Sequence, residues 1–243
     1  YVCKMINKMI NHSVIIKLMD WAYEKAVGGV TGLESAQQLA EDFMKDNNNP
    51  VEQANKLIRW QNAKAGMSGF LTGIGGLLAM PFTIPANIGS VLYIQIRMIA
   101  AIAYMAGYDL RDDRVKSLVF LCIGGNAGKD LLKNIGIAWG EKVVAQALTK
   151  ITQDTIVKIN KAVGFKLLTK FGGKGFINLS KAVPVVGGVV GATFDVVATN
   201  AIGNFARNTF IQGKHPHLLE ESDNEETMEI TEISCGPEPP CAQ

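Results

Sequence analysis

Histidine is the scarcest chemically active residue in this 243-residue chain, with three copies, and cysteine follows with four. His12 falls on an expected helix, while His215 and His217 form a His-Pro-His triplet far downstream. With no second ligand cluster, that triplet is not a metal site. Cys3, Cys122, Cys235 and Cys241 show neither a disulfide framework nor metal-ligand spacing, which points to a reducing compartment. No nucleophile elbow, HExxH or CxxC is present. These absences leave no cofactor implied and no catalytic motif. Only groups converging from distant segments remain as a route to an enzyme.

Charge is also thin. Charged residues make up 19% of the chain, low enough that long stretches carry none. Aromatics are 7%, and no aromatic-plus-basic stripe is present, so nucleic acid is not an expected partner. Two glycine-rich stretches imitate phosphate loops and fail. In Gly124-Gly125-Asn126-Ala127-Gly128-Lys129-Asp130, three residues separate Gly124 from Gly128 where the nucleotide motif needs four. Asp130 also stands where Ser or Thr should hold magnesium. Gly172-Gly173-Lys174-Gly175 reads as a hinge rather than an anion nest.

What the chain has in plenty is glycine, 25 residues, set in apolar stretches. From Ala65 to Tyr108 the only charged side chain is Arg97. Gly66, Gly69, Gly73, Gly75 and Gly76 are followed by the break Met80-Pro81-Phe82-Thr83-Ile84-Pro85 and then by a second apolar run ending at Gly107. This predicts a helical hairpin with a proline-bounded turn, apolar nearly all round and therefore hidden in protein or lipid. Gly69-x-x-x-Gly73 lets helix backbones approach closely. The first arm, Gly66 to Met80, is about 22 Å of helix, too short for a bilayer core of about 30 Å. The second, Pro85 to Ala106, is long enough, but a central Arg costs about 2.5 to 3.5 kcal/mol. A buried or partly inserted hairpin is favoured over a standard span. Residues 182–211 form a second apolar, glycine-rich unit, opened by Pro184. Its one charge between Lys181 and Arg207 is Asp195. A buried ion needs a partner, so Arg97 and Asp195 are expected to meet across the core.

Elsewhere the pattern is amphipathic helix. Met5, Ile6, Met9, Ile10, Val14, Leu18 and Trp21 give helical spacing over 4–27, closed by Gly28-Gly29. Thr31 to Glu34 reads as a capping box opening a second helix that runs to about Lys45. Asn49-Pro50 reads as an N-cap followed by proline at the first helical position. Gly107 stops the hairpin, and Asp112-Asp113 caps a helix over 114–123. Residues 131–170 give one or two basic amphipathic helices. Lys4, Lys8, Lys17, Lys158, Lys166 and Lys170 are the candidate membrane-facing residues. Net charge is +2, yet the last 24 residues carry eight acidic groups and no basic one, leaving 24 basic and 14 acidic residues before them, a net of +10. A basic, apolar body suits anionic lipid.

Two stretches resemble the EcsC family of bacterial proteins. The first is Gly69-Phe70-Leu71-Thr72-Gly73-Ile74-Gly75-Gly76 through Tyr93-Ile94-Gln95-Ile96-Arg97-Met98-Ile99-Ala100 to Gly107-Tyr108-Asp109. The second is Val183-Pro184-Val185-Val186-Gly187 through Asp195 to Ala206. In order and spacing they cover residues 50–211. One departure is Asn87, where the family often carries an acidic residue. The resemblance implies a helical, membrane-associated protein whose namesake is encoded beside an ABC transporter. We therefore expect an all-α single domain over residues 1–212, a bundle of about seven to nine helices, with a disordered acidic tail over 213–243. The expected role is that of a cytoplasmic, membrane-associated, non-enzymatic protein. Its partners would be membrane lipid or a membrane protein such as a transporter component. The alternatives are a carrier of a lipid or apolar ligand, and an enzyme acting on a lipid or envelope precursor. The candidate buried polar or ligand site comprises Arg97, Asp195, Asn87, Gln95, Tyr108 and Asp109.

Overall fold

Local capping chemistry sets most of the observed helix ends. The structure, a computed structural model, describes residues 12–30, 32–45, 48–65, 86–124, 148, 151–171 and 198–212. The first helix, α1 (His12–Gly28), buries Ile15, Leu18, Met19, Ala22, Tyr23 and Ala26 along one stripe. It ends where Gly29 takes φ +78°, a left-handed conformation that costs glycine little. The Val30–Leu33 bridge then closes a tight turn through Gly32 at φ +82°.

That turn corrects the expected capping box. Glu34 lies ahead of the helix, not in its first turn. The N-cap of α2 (Ala36–Met44) is Ser35, whose Oγ accepts from the Gln38 N–H at 3.1 Å, while the Ser35 N–H donates to Gln38 Oε1 at 2.9 Å. The cap falls four residues later than the Thr31 pattern predicts because Gly32 bends the chain before it can coil. Asn49 caps α3 (Pro50–Ala65) as expected, its Oδ1 accepting from the Val51 N–H at 2.9 Å.

The second apolar run forms α4 (Ala86–Met105). Every residue from Leu92 to Ala103 is buried. Helices α1, α2, α3 and α5 and the C-terminal π-helical turn, described next, all pack against it. This arm hides from water inside protein. The arm and turn that precede it, 66–85, lie outside the described residues. At its end Gly107, φ +77°, donates to the Tyr104 carbonyl at 2.7 Å, and the Tyr108 N–H reaches back to Ala103 at 3.1 Å. This is the paired closure of a glycine-stopped helix. Asp112 caps α5 (Asp113–Ile123), accepting from the Arg114 N–H at 2.8 Å.

Helix α6 (Gln153–Phe171) packs on α5 and α1. Helix α7, residues 198–207, runs into the π-helical turn Asn208–Gln212. Three contacts set α7 antiparallel to α3: Asn62 to Asn200, Ile58 to Gly203 and Asn55 to Arg207. Numbers rise on one helix as they fall on the other. Among the described residues there are seven helices and no strand, so the fold is all-α. Among them, too, no helix is long and apolar enough to cross a membrane.

Candidate functional site

Arg97 sits three-fifths of the way along α4 and is 3% exposed. It is the only Lys or Arg buried among the described residues. One guanidinium nitrogen, Nη1, donates to the Glu34 backbone carbonyl at 3.1 Å. That acceptor is available because Glu34 precedes the Ser35 cap, so no α2 amide claims its carbonyl. One helical turn before Arg97, Tyr93 is wholly buried, and the guanidinium carbon lies 5.9 Å from its ring centroid, within cation–π range.

Arg97 Nε and Tyr93 Oη are both sealed from solvent without a hydrogen-bond partner. The two side chains lie close enough that each bears on the other's ionisation. Burial is the main influence on each group. It lowers the Arg97 pKa, with Tyr93 and the Glu34 carboxylate opposing, and raises that of Tyr93, with the guanidinium opposing. No described carboxylate lies within ion-pair distance of Arg97, whereas Lys45–Asp42, Arg114–Asp112 and Lys116–Asp20 are paired. On α3, which also packs on α4, buried Gln61 has neither amide atom partnered among the described residues.

The other sequence-derived candidates scatter. Gln95 is buried on α4, two positions from Arg97 and so turned well away from it. Asn87 lies in the first turn of α4, with its side chain outside the described residues, as is Asp195 altogether. The expected Arg97–Asp195 approach therefore also lies outside them. Tyr108 is half-buried beyond the end of α4, its ring 5.6 Å from that of Phe210, and burial raises its pKa. Asp109 is exposed and accepts from the Arg111 N–H at 2.9 Å. These two residues stand more than two turns of helix from Arg97.

A second feature is on the surface. On α6, Phe165 is 60% exposed and Val157 47%. Ile156, Ile159, Val163 and Leu167 fill the buried side. At helical spacing, Val157, Lys158, Lys161 and Phe165 share roughly 100° of arc, with Lys166 about 80° further round the helix; all are exposed. Asp154 is the single acidic residue of α6. Exposed Lys17 lies on α1, which meets α6 closely at Gly164: a Cβ there would stand 3.1 Å from Ile16 Cγ1 and 3.2 Å from His12 Nε2. His12 Nε2 also bonds the Lys161 carbonyl at 2.8 Å. Three of the expected lysines thus belong to two helices in contact. Lys4 and Lys8 lie outside the described residues, as does the Lys170 side chain. Phe165 and Val157 were missed from sequence, although an aromatic on the lysine side of α6 was the available signal.

Among the described residues no group of histidine, cysteine and carboxylate side chains could hold a metal ion. The family model for the EcsC protein family matches residues 2–212. No curated protein and no solved structure matches the chain.

Proposed function

We propose, from the premise that the chain belongs to the EcsC protein family, that it is a peripheral membrane protein. It would dock on an anionic cytoplasmic leaflet through the outer face of α6 and the adjoining part of α1. The single observation that carries this reading is Phe165, a large apolar ring 60% exposed among Lys158, Lys161 and Lys166. The exposed part of the ring gains no burial in water, whereas at a headgroup boundary it inserts while the lysines meet lipid phosphate. The part assigned is non-enzymatic and accessory to a transport or envelope process, with a membrane protein such as a transporter component as the client; support for that client is the family resemblance.

The magnitudes favour a reversible contact. Burying most of a phenylalanine side chain contributes about 1 to 2 kcal/mol, and each lysine near an anionic surface about 1 kcal/mol. Sedimentation with vesicles of phosphatidylglycerol and phosphatidylcholine tests the reading. Phe165→Ser should lower partitioning about 5- to 30-fold. Replacing Lys158, Lys161 and Lys166 with glutamine should lower it about 100-fold and remove its salt sensitivity. Equal binding to vesicles of phosphatidylcholine alone, or no loss in either variant, would sink it.

A further inference from the structure

A buried cation is stable only with a counter-charge or a full set of acceptors. Arg97 has five N–H donors, and the described residues give it one acceptor, the Glu34 carbonyl. Its Nε and the Tyr93 hydroxyl, one turn apart on the same helix, are both enclosed and both unpartnered. Nε belongs to the guanidinium edge that takes two oxygens of a planar acid group. A water molecule would satisfy one donor and leave the charge unmatched.

We propose that Arg97 and Tyr93 form a buried receptor for one oxyanion, a carboxylate or phosphate group, gripped on the Nε edge of the guanidinium with the Tyr93 hydroxyl donating beside it. The chemistry has two sources. One is internal: Asp195, the only acidic residue between Lys181 and Arg207. The other is external: the phosphate of a lipid headgroup or free phosphate. The site is independent of α6 docking, because its residues lie on the enclosed helix α4.

Thermal melts of the full chain separate the sources, comparing chloride with inorganic phosphate at matched ionic strength. If the anion is external, phosphate raises the wild-type Tm by about 3 to 6 °C at ten times its Kd. Arg97→Met abolishes that rise, and Tyr93→Phe weakens phosphate binding about tenfold. If the anion is internal, phosphate leaves the wild type unmoved. Arg97→Met and Asp195→Asn then each lower Tm, the double variant falls no further than the worse single one, and phosphate raises the Tm of Asp195→Asn.

Should Arg97→Met fail to fold, Arg97→Lys keeps the charge but loses the planar fork. It should fold and show a reduced phosphate response in the wild-type or Asp195→Asn background that responds. An equal rise in wild type and Arg97 variants is a solvent effect of phosphate and overturns the proposal. So does the absence of any phosphate response together with additive losses from Arg97→Met and Asp195→Asn. Vesicle sedimentation of Arg97→Lys then separates the external sources, matching wild type if free phosphate is the ligand and weakening if a lipid headgroup is. Phe165→Ser keeps the phosphate response in either case, so failure of this site would not be mistaken for failure of docking.

Discussion

Gly203 packs α7 tightly against Ile58 of α3, and a single methyl group tests that approach. A Cβ at Gly203 would stand 2.7 Å from Ile58 Cγ1, 3.1 Å from Cδ1 and 3.2 Å from Cγ2. The first distance is far inside van der Waals contact. Cγ1 is bonded directly to the Ile58 Cβ, and β-branched side chains hold χ1 stiffly in a helix, so the clash is not relieved by swinging a flexible end. Ile58 is itself buried. Two effects oppose each other in Gly203→Ala. Overpacking costs about 1 to 3 kcal/mol. Replacing a mid-helix glycine returns about 0.5 to 1 kcal/mol of helix propensity. The clash wins, and the variant should lose up to about 2 kcal/mol, or up to about 8 °C in Tm.

The sharper readout is a reversal of sign. Ile58→Ala removes all three clashing atoms and alone costs about 2 to 5 kcal/mol. In that background Gly203→Ala meets no obstacle and should stabilise the chain by up to about 1 kcal/mol. Urea unfolding followed by far-UV circular dichroism gives the four free energies. The expected coupling is about 1 to 3 kcal/mol. If Gly203→Ala stabilises both backgrounds equally, the close contact between α3 and α7 does not exist and the antiparallel register drawn from it fails.

Other consequences are simpler to test. Ser35→Ala removes the α2 cap seen at 3.1 Å and should cost about 0.5 to 2 kcal/mol in the same urea assay, whereas Thr31→Ala should leave the α2 cap unaffected. Complete burial pushes the Cys122 thiol up to about 12, with Thr209 opposing. It should therefore resist iodoacetamide at pH 8 in the native state and react promptly in denaturant. Because that pKa lies above the unfolded value, its contribution to stability is complete below about pH 8.5 and is lost as pH rises toward 12. A urea midpoint that stays level from pH 8 to 11 would contradict the assignment.

What could be read from the sequence was local. Asn49-Pro50, Asp112-Asp113 and Gly107 announce their helix ends because a cap is a bond between near neighbours. The interior position of Arg97 followed from an uncharged run around one ion. Thr31 misled because Thr-x-x-Glu satisfies the capping pattern just as Ser35-x-x-Gln38 does, and only the turn at Gly32 decides between them. The partners of the buried polar groups were not legible. Arg97 bonds a carbonyl 63 positions away, the Tyr23 hydroxyl donates to the Leu110 carbonyl 87 positions away, and His12 meets the Lys161 carbonyl 149 positions away. Every residue type offers the same backbone carbonyl, so no side-chain identity marks the acceptor. The π-helical turn at 208–212 gave no signal either. Within it Thr209 Oγ1 donates to the Phe205 carbonyl at 2.7 Å, a bond that competes with the helix's own ladder.

The arrangement around α4 also governs how the molecule can come apart. Four helices and the π-helical turn lean on that one rod, and its flanks from Leu92 to Ala103 have no wet side. Its amide protons can meet deuterium only when the surrounding helices swing away together. They should exchange last, at a rate set by whole-molecule opening, while those of the lysine-bearing outer helix α6 exchange through smaller, earlier excursions.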